Sequence, residues 1–235
     1  MTEHTHKQFD TEMEAIRSGV LTMGGLVETQ MSRAIVLLEG EDEHGMVEQV
    51  IADEKMINQM QVDIDQQCSQ IIAKRQPAAI DLRMILTVTK IVNDLERVGD
   101  ETKKIAKKAA QAAQTQRLAQ VRNFDVARAA ERAKEMLQLA LDAFARLDVN
   151  AAAEVIDLDD EIDAAFSAVL RQLISYMMED PRTITPALEI VFMAKSIERI
   201  GDHAKNIGEA VVQVVRGKDV RHATAEQIRA EVAEE

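Results

Sequence analysis

The chain has 235 residues, a net charge of −13, 46% hydrophobic and 29% charged residues, and 3% aromatics with no Trp. The acidic balance excludes general attraction to nucleic acid or anionic lipid, and the aromatic shortage suits neither a β-sandwich nor a base-stacking surface. Cys68 as the one cysteine allows no intrachain disulfide, and no apolar signal core or run of about 18 apolar residues occurs, so a cytoplasmic protein is expected.

Three prolines and nine glycines leave long stretches without a helix breaker. The first helix is predicted from Phe9 to Leu38, ending at the Glu39-Gly40-Glu41-Asp42 turn. The second runs from Glu43 to Arg75 and stops before Pro77, and the third from Ile80 to Ala113. A link near Thr115–Arg122 leads to a fourth helix over Asn123–Leu147. The fifth, Asn150–Glu179, has the clearest pattern. Val155, Leu158, Ile162, Phe166, Val169, Leu173 and Met177 step by three or four, and Asp180-Pro181 ends the stripe. The sixth helix covers Thr183–Val215, and the polar tail after Gly217 is expected to fray. Short links force antiparallel neighbours. The fold class is therefore all-α, with two tandem antiparallel three-helix bundles at 1–117 and 118–235.

A repeat supports the division. Leu95-Glu96-Arg97-Val98-Gly99-Asp100 returns as Ile197-Glu198-Arg199-Ile200-Gly201-Asp202, with Ile91 matched by Met193, Lys103 by Lys205 and Ile105 by Ile207. Acids four apart on a helix point the same way, about 40° apart, and their repulsion costs roughly 0.2–0.5 kcal/mol unless neutralised. Arg97 and Arg199 are poorly placed to reach both acids of their own helix. Asp159 and Asp163 repeat the spacing on the fifth helix, and Glu54 and Asn58 are their counterparts on the second. Each pair sits beside its apolar stripe, and where two such edges face one another in an antiparallel bundle each half would offer up to four oxygen-bearing side chains around one point. A single such pair is usually a solvated edge, but four aligned pairs, two inside a repeated string, point to metal binding. Oxygen ligands without Cys or well-placed His favour Mg²⁺, Mn²⁺ or iron, with Zn²⁺ possible. Gly99 and Gly201 suggest close helix approach beside the acids.

Other chemistry finds little support. A ferritin-like oxidase needs mid-helix Glu-x-x-His pairs, and here that spacing falls only at Glu3/His6 and Glu41/His44, at helix starts or links. His203 reads as a surface histidine, Cys68 as a small core residue, and Met23, Met31, Met84, Met136, Met177 and Met193 as gap fillers. The run Lys103–Lys108 reads as a solvated face balancing upstream acids. Phosphate loops, Cys-x-x-Cys pairs and nucleophile elbows are absent, so no catalytic residue is assigned.

The chain resembles the PhoU family of phosphate-uptake regulators over essentially its full length. The resemblance rests on Met23-Gly24-Gly25-Leu26-Val27-Glu28, Ile72-Ala73-Lys74-Arg75-Gln76-Pro77, Asp81-Leu82-Arg83 and the paired Glu-Arg-x-Gly-Asp strings. It implies two pseudo-symmetric three-helix bundles, usually dimeric, with multinuclear metal clusters at (Glu/Asp)-x-x-x-Asp motifs. Glu96, Asp100, Asp159, Asp163, Glu198 and Asp202 match those motifs, as does Glu54, whereas Asn58 replaces an acid. The first site is therefore expected to bind metal more weakly. The resemblance further implies a non-enzymatic adaptor that reaches the membrane only through partners. It would couple the ATPase of a phosphate-specific ABC importer to a sensor histidine kinase and silence phosphate-starvation genes. A purely structural adaptor whose acids form a solvated edge is the rival reading.

Overall fold

Val50, Ile57, Ile64 and Ile71 are buried at seven-residue intervals along α2 (Met46–Arg75). The same interval recurs in α3 (Ala79–Gln114) at Val88, Leu95, Thr102 and Ala109. It appears again in α5 (Val149–Glu179) at Val155, Ile162 and Val169, and in α6 (Ile184–Arg216) at Ile190, Ile197, Ala204 and Val211. A seven-residue period keeps one seam of a helix against its neighbour along its whole length. With α1 (Thr2–Glu39) and α4 (Val126–Arg146), these helices form two three-helix bundles, α1–α3 and α4–α6. The computed structural model describes residues 2–40, 45–114, 126–221, 223 and 225–233, and among these there is no strand.

The ends follow local chemistry. Gln76 caps α2 in the left-handed region (φ 50°), its N–H donating to Ile72 O, with Pro77 next. Asp148 caps α5 by accepting from the N–H groups of Asn150 and Ala151. Asp180-Pro181 ends α5 and opens a 3₁₀ turn (Pro181–Thr183) before α6, which closes at Gly217 with φ 75°.

The bundles dock through α1 against α4 and α3 against α6. A Cβ on Gly24 would lie 2.6 Å from Leu141 Cδ1, so a side chain there would have to push Leu141 aside for α1 to approach α4 this closely. α3 and α6 run antiparallel along the seam. Lys90 Nζ donates to Gln213 Oε1 (2.7 Å), Asp94 Oδ1 lies 2.9 Å from His203 Nδ1, Glu101 pairs with Arg199 (2.5 Å), and Lys108 pairs with Glu189.

Three expectations change. The first helix begins at Thr2 rather than Phe9, because extending an established helix by polar turns costs little. The tail does not simply fray: Val220 and Ile228 are buried, α7 (Ala225–Ala233) packs on α5, and Arg229 pairs with Asp157 at 2.7 Å. Among its described side chains α7 buries a single apolar one, Ile228, which makes no periodic stripe, so composition hides it. His203 is not on the surface; its side chain is 16% exposed, inside the seam. The expected link and the boundary at 117/118 fall in residues 115–125, and Glu41/His44 in 41–44, outside the described residues.

Candidate functional site

Glu54 follows Val50 by four residues, and Asp159 follows Val155 by four. Each therefore takes the second inward position of its helix's repeat, the place held further along by Cys68 and Leu173. Both acids are buried, at 8% and 4% exposure. Gly99 and Gly201 let the third helix of each bundle close on these positions. An added Cβ would stand 3.2 Å from Ile57 Cδ1 in the first bundle and 3.2 Å from Ile162 Cγ2 in the second. This close approach brings the acids of the repeated string onto those of the neighbouring helix.

In the first bundle Lys103 Nζ donates to Glu54 Oε1 (2.6 Å) and Asp100 Oδ1 (2.9 Å), joining α2 to α3. Asn58 Nδ2 also donates to Glu54 Oε1 (2.9 Å), while Asn58 Oδ1 is buried with no partner among the described residues. Burial, and then the charges of Asp100 and Glu54, push the Glu96 carboxyl above its ordinary range against the pull of Arg97 and Lys103. Burial alone would lower the Lys103 ammonium, but its hydrogen bonds and charge pairs with Glu54 and Asp100 outweigh that and raise it.

The second bundle is built alike but carries one more acid. Lys205 Nζ donates to Asp159 Oδ2 (2.6 Å) and Lys195 Nζ to Glu198 Oε1 (2.5 Å). Glu198 Oε2 is buried with no partner among the described residues. Burial first, then Asp159 and Glu198, raise Asp163. Burial, then Glu198, Asp159 and Asp163, raise Asp202. The four acids thus feel one another across α5 and α6. Lys205, which burial would lower, is raised by Asp159.

The structure therefore gathers Glu54, Asn58, Glu96 and Asp100 in one bundle and Asp159, Asp163, Glu198 and Asp202 in the other. Each offers oxygen donors without sulfur or imidazole, the ligand type that a hard cation takes. Among the described residues, no three Asp, Glu, His or Cys side chains converge as ligands of a single ion. The lysines stand as counter-ions instead. Sequence reasoning put Lys103 on a solvated face balancing upstream acids and gave Lys205 no role, although both lie in the matched flanks of the repeat, three residues after its Asp. Among the described residues Arg97 forms an ion pair only with Glu96, at 3.5 Å, and Arg199 leaves its own acids for Glu101. Burial, with help from the charge of Asp65, pushes the Cys68 thiol up to about 12, consistent with a core residue.

The PhoU domain matches this chain twice, over residues 20–109 and 126–211. The chain belongs to the PhoU family. Each match spans one acidic cluster. A relative from Pseudomonas putida, the "phosphate-specific transport system accessory protein PhoU homolog", is 45% identical over 233 residues, which cover 99% of this chain and 90% of that protein. The crystal structure of PhoU from Pseudomonas aeruginosa superposes with a TM-score of 0.81 at 44% identity, covering 89% of this chain and 100% of that one. That of the phosphate transport system regulatory protein PhoU from Streptococcus pneumoniae gives 0.79 at 28% identity, covering 91% and 99%. No helix among the described residues is long and apolar enough to cross a membrane.

Proposed function

We propose that the chain is a negative regulator of the phosphate-starvation response and a modulator of phosphate uptake. It acts without catalysis, as a homodimeric cytoplasmic adaptor between the ATPase subunit of a phosphate-specific ABC transporter and a sensor histidine kinase. The observation that carries this reading is the pair of PhoU-domain matches lying over the two bundles, with relatives named for accessory and regulatory roles in phosphate transport. An adaptor biases a kinase only through differential affinity for its two states, and long, rigid helices offer docking surface for that task. Pull-down of kinase and ATPase at high phosphate tests it. Repression that survives deletion of the gene ends it.

The same reading places Mg²⁺, Mn²⁺, iron or Zn²⁺ at the two acidic clusters. It is supported by the oxygen-only donors, by the raised Glu96, Asp163 and Asp202, and by the unpartnered buried oxygens of Asn58 and Glu198. A bound cation would neutralise the clusters and clamp the second helix of each bundle to the third. Lys103 and Lys205 favour a second reading, in which the acids are neutralised from within and the adaptor needs no metal. Elemental analysis of untagged protein purified without chelators separates the two. Metal retained by the native chain and lost from the Glu198→Ala, Asp202→Ala variant supports the first.

A further inference from the structure

Lys103 and Lys205 occupy the same place in the two repeats, one helical turn beyond the Asp of the string. Each carries its ammonium across to an acid buried on the neighbouring helix, Glu54 at 2.6 Å and Asp159 at 2.6 Å. These are the most deeply buried acids of their clusters, so the charge of each lysine falls where an incoming cation would gain most. Lysine suits a removable counter-ion: it is a compact charge on a flexible four-carbon stem, without the planar fork that fixes arginine. Both stems reach water, with side-chain exposures of 22% and 34%.

We propose that Lys103 and Lys205 are tethered competitors for the acidic sites, which hold each helix pair together without metal and swing out to solvent when a cation enters. This rests on the metal reading above and adds its control. Each site then has two closed forms, one locked by the chain's own ammonium and one by an external ion. The forms differ by the displacement of one lysine, a discrete change able to alter the edge of the bundle that a partner meets. The two locks are unequal. Lys103 satisfies oxygens on both α2 and α3, and Asn58 adds a further donor to Glu54. Lys205 holds only Asp159, and Lys195 holds the other oxygen of Glu198 from within α6 and so ties no second helix. The buried Glu198 Oε2 has no partner among the described residues. The second site therefore yields to a cation at lower concentration.

The test measures Mn²⁺ binding by calorimetry, and thermal unfolding with and without Mn²⁺, on full-length, chelator-treated protein. Lys205→Met should bind Mn²⁺ about tenfold more tightly than the native chain, because one opposing charge a few ångströms away is removed. It should unfold at lower temperature without metal and recover with Mn²⁺. Lys104→Met makes the same charge change on Lys104, which pairs with Glu101 rather than with the site, and should shift affinity far less. Lys205→Arg, which folds with its charge in place, should bind no more tightly than the native chain. If Lys205→Met and the native chain bind Mn²⁺ equally, or Lys104→Met tightens binding as much, the tethered competitor is wrong while the metal site stands. If neither native chain nor variants bind Mn²⁺, Zn²⁺ or Fe²⁺, the metal reading fails and takes the lock with it.

Discussion

Arg199, inside the repeated string of the second bundle, reaches across the seam to Glu101 of the first at 2.5 Å. Glu101 is almost wholly buried and accepts also from Lys104 at 2.9 Å. Arg97, the same position in the other repeat, is half-exposed and among the described residues pairs only with Glu96, at 3.5 Å. Removing Arg199 leaves a buried carboxylate with a single partner. Arg199→Ala should therefore cost about 1–2 kcal/mol, less than a fully buried pair because the guanidinium is partly solvated. Arg97→Ala should stay within about 0.5 kcal/mol. Urea unfolding of the two variants decides, and equal losses would show that the seam pair contributes nothing special.

The adjacent glycines of α1 make opposite predictions. A side chain at Gly24 collides with Leu141, at 2.6 and 2.9 Å from its two methyls, whereas a Cβ on Gly25 meets nothing within 4 Å. Gly24→Val should destabilise by about 1–3 kcal/mol through overpacking of the α1–α4 contact. Gly25→Ala should be neutral or gain up to about 1 kcal/mol from helix propensity. Midpoints of thermal unfolding compared side by side would expose a wrong docking of the bundles.

Arg75, in the last turn of α2, donates to both oxygens of Glu12 on α1, from Nη2 at 2.8 Å and from Nε at 2.9 Å. The side-chain hydrogen bond from Arg75 holds Glu12 below its ordinary range. A carboxyl lowered in the folded state contributes stability above its unfolded pKa and loses it as pH falls through the folded value. Glu12→Gln should thus be less stable than the native chain at pH 7, by an amount that shrinks as the medium is acidified through the carboxylate range. A gap that stayed constant on acidification would exclude the ion pair as its source.

Cys68 packs in the core of the first bundle at 1% exposure, its thiol raised to about 12 by burial. The thiolate is the reactive form, so the native chain should resist a thiol reagent at pH 8 and react fully once unfolded. Prompt labelling under native conditions would mean that α2 opens readily.

Asn58 separates the two acidic clusters chemically. Asn58→Asp removes the donor to Glu54 and adds a charge, so without metal it should lose roughly 0.5 kcal/mol from the i,i+4 repulsion. With Mn²⁺ its first site should approach the affinity of the second. Unchanged stoichiometry and affinity would show that this position takes no part in binding.

The helices were legible because their inward residues recur at regular intervals and because Asp-Pro and Gly punctuate the ends. The acidic clusters were legible because the string Glu-Arg-x-Gly-Asp occurs twice and its glycines mark close approach. What escaped notice lies between elements. His203 looks like surface on its own helix and is covered only when α3 docks. Lys103 and Lys205 read as ordinary helix charges until α2 and α5 bring their buried acids within reach. Among the described side chains of α7 only Ile228 is buried and apolar, too few to set a period.

The seam between α3 and α6 has one more implication. Its contacts join residues that the other repeat has replaced: Asp94 corresponds to Ser196, Glu101 to His203, and Lys90 to Phe192. Two identical bundles would meet as equals, each presenting the same patch to its twin. Here each surface is made for a different counterpart, and neither half can stand in for the other. A fusion of two first bundles would set a second Glu101 opposite Asp94, two acids where an acid and a histidine now meet. Duplication supplied the parts, and divergence has made the pairing obligatory.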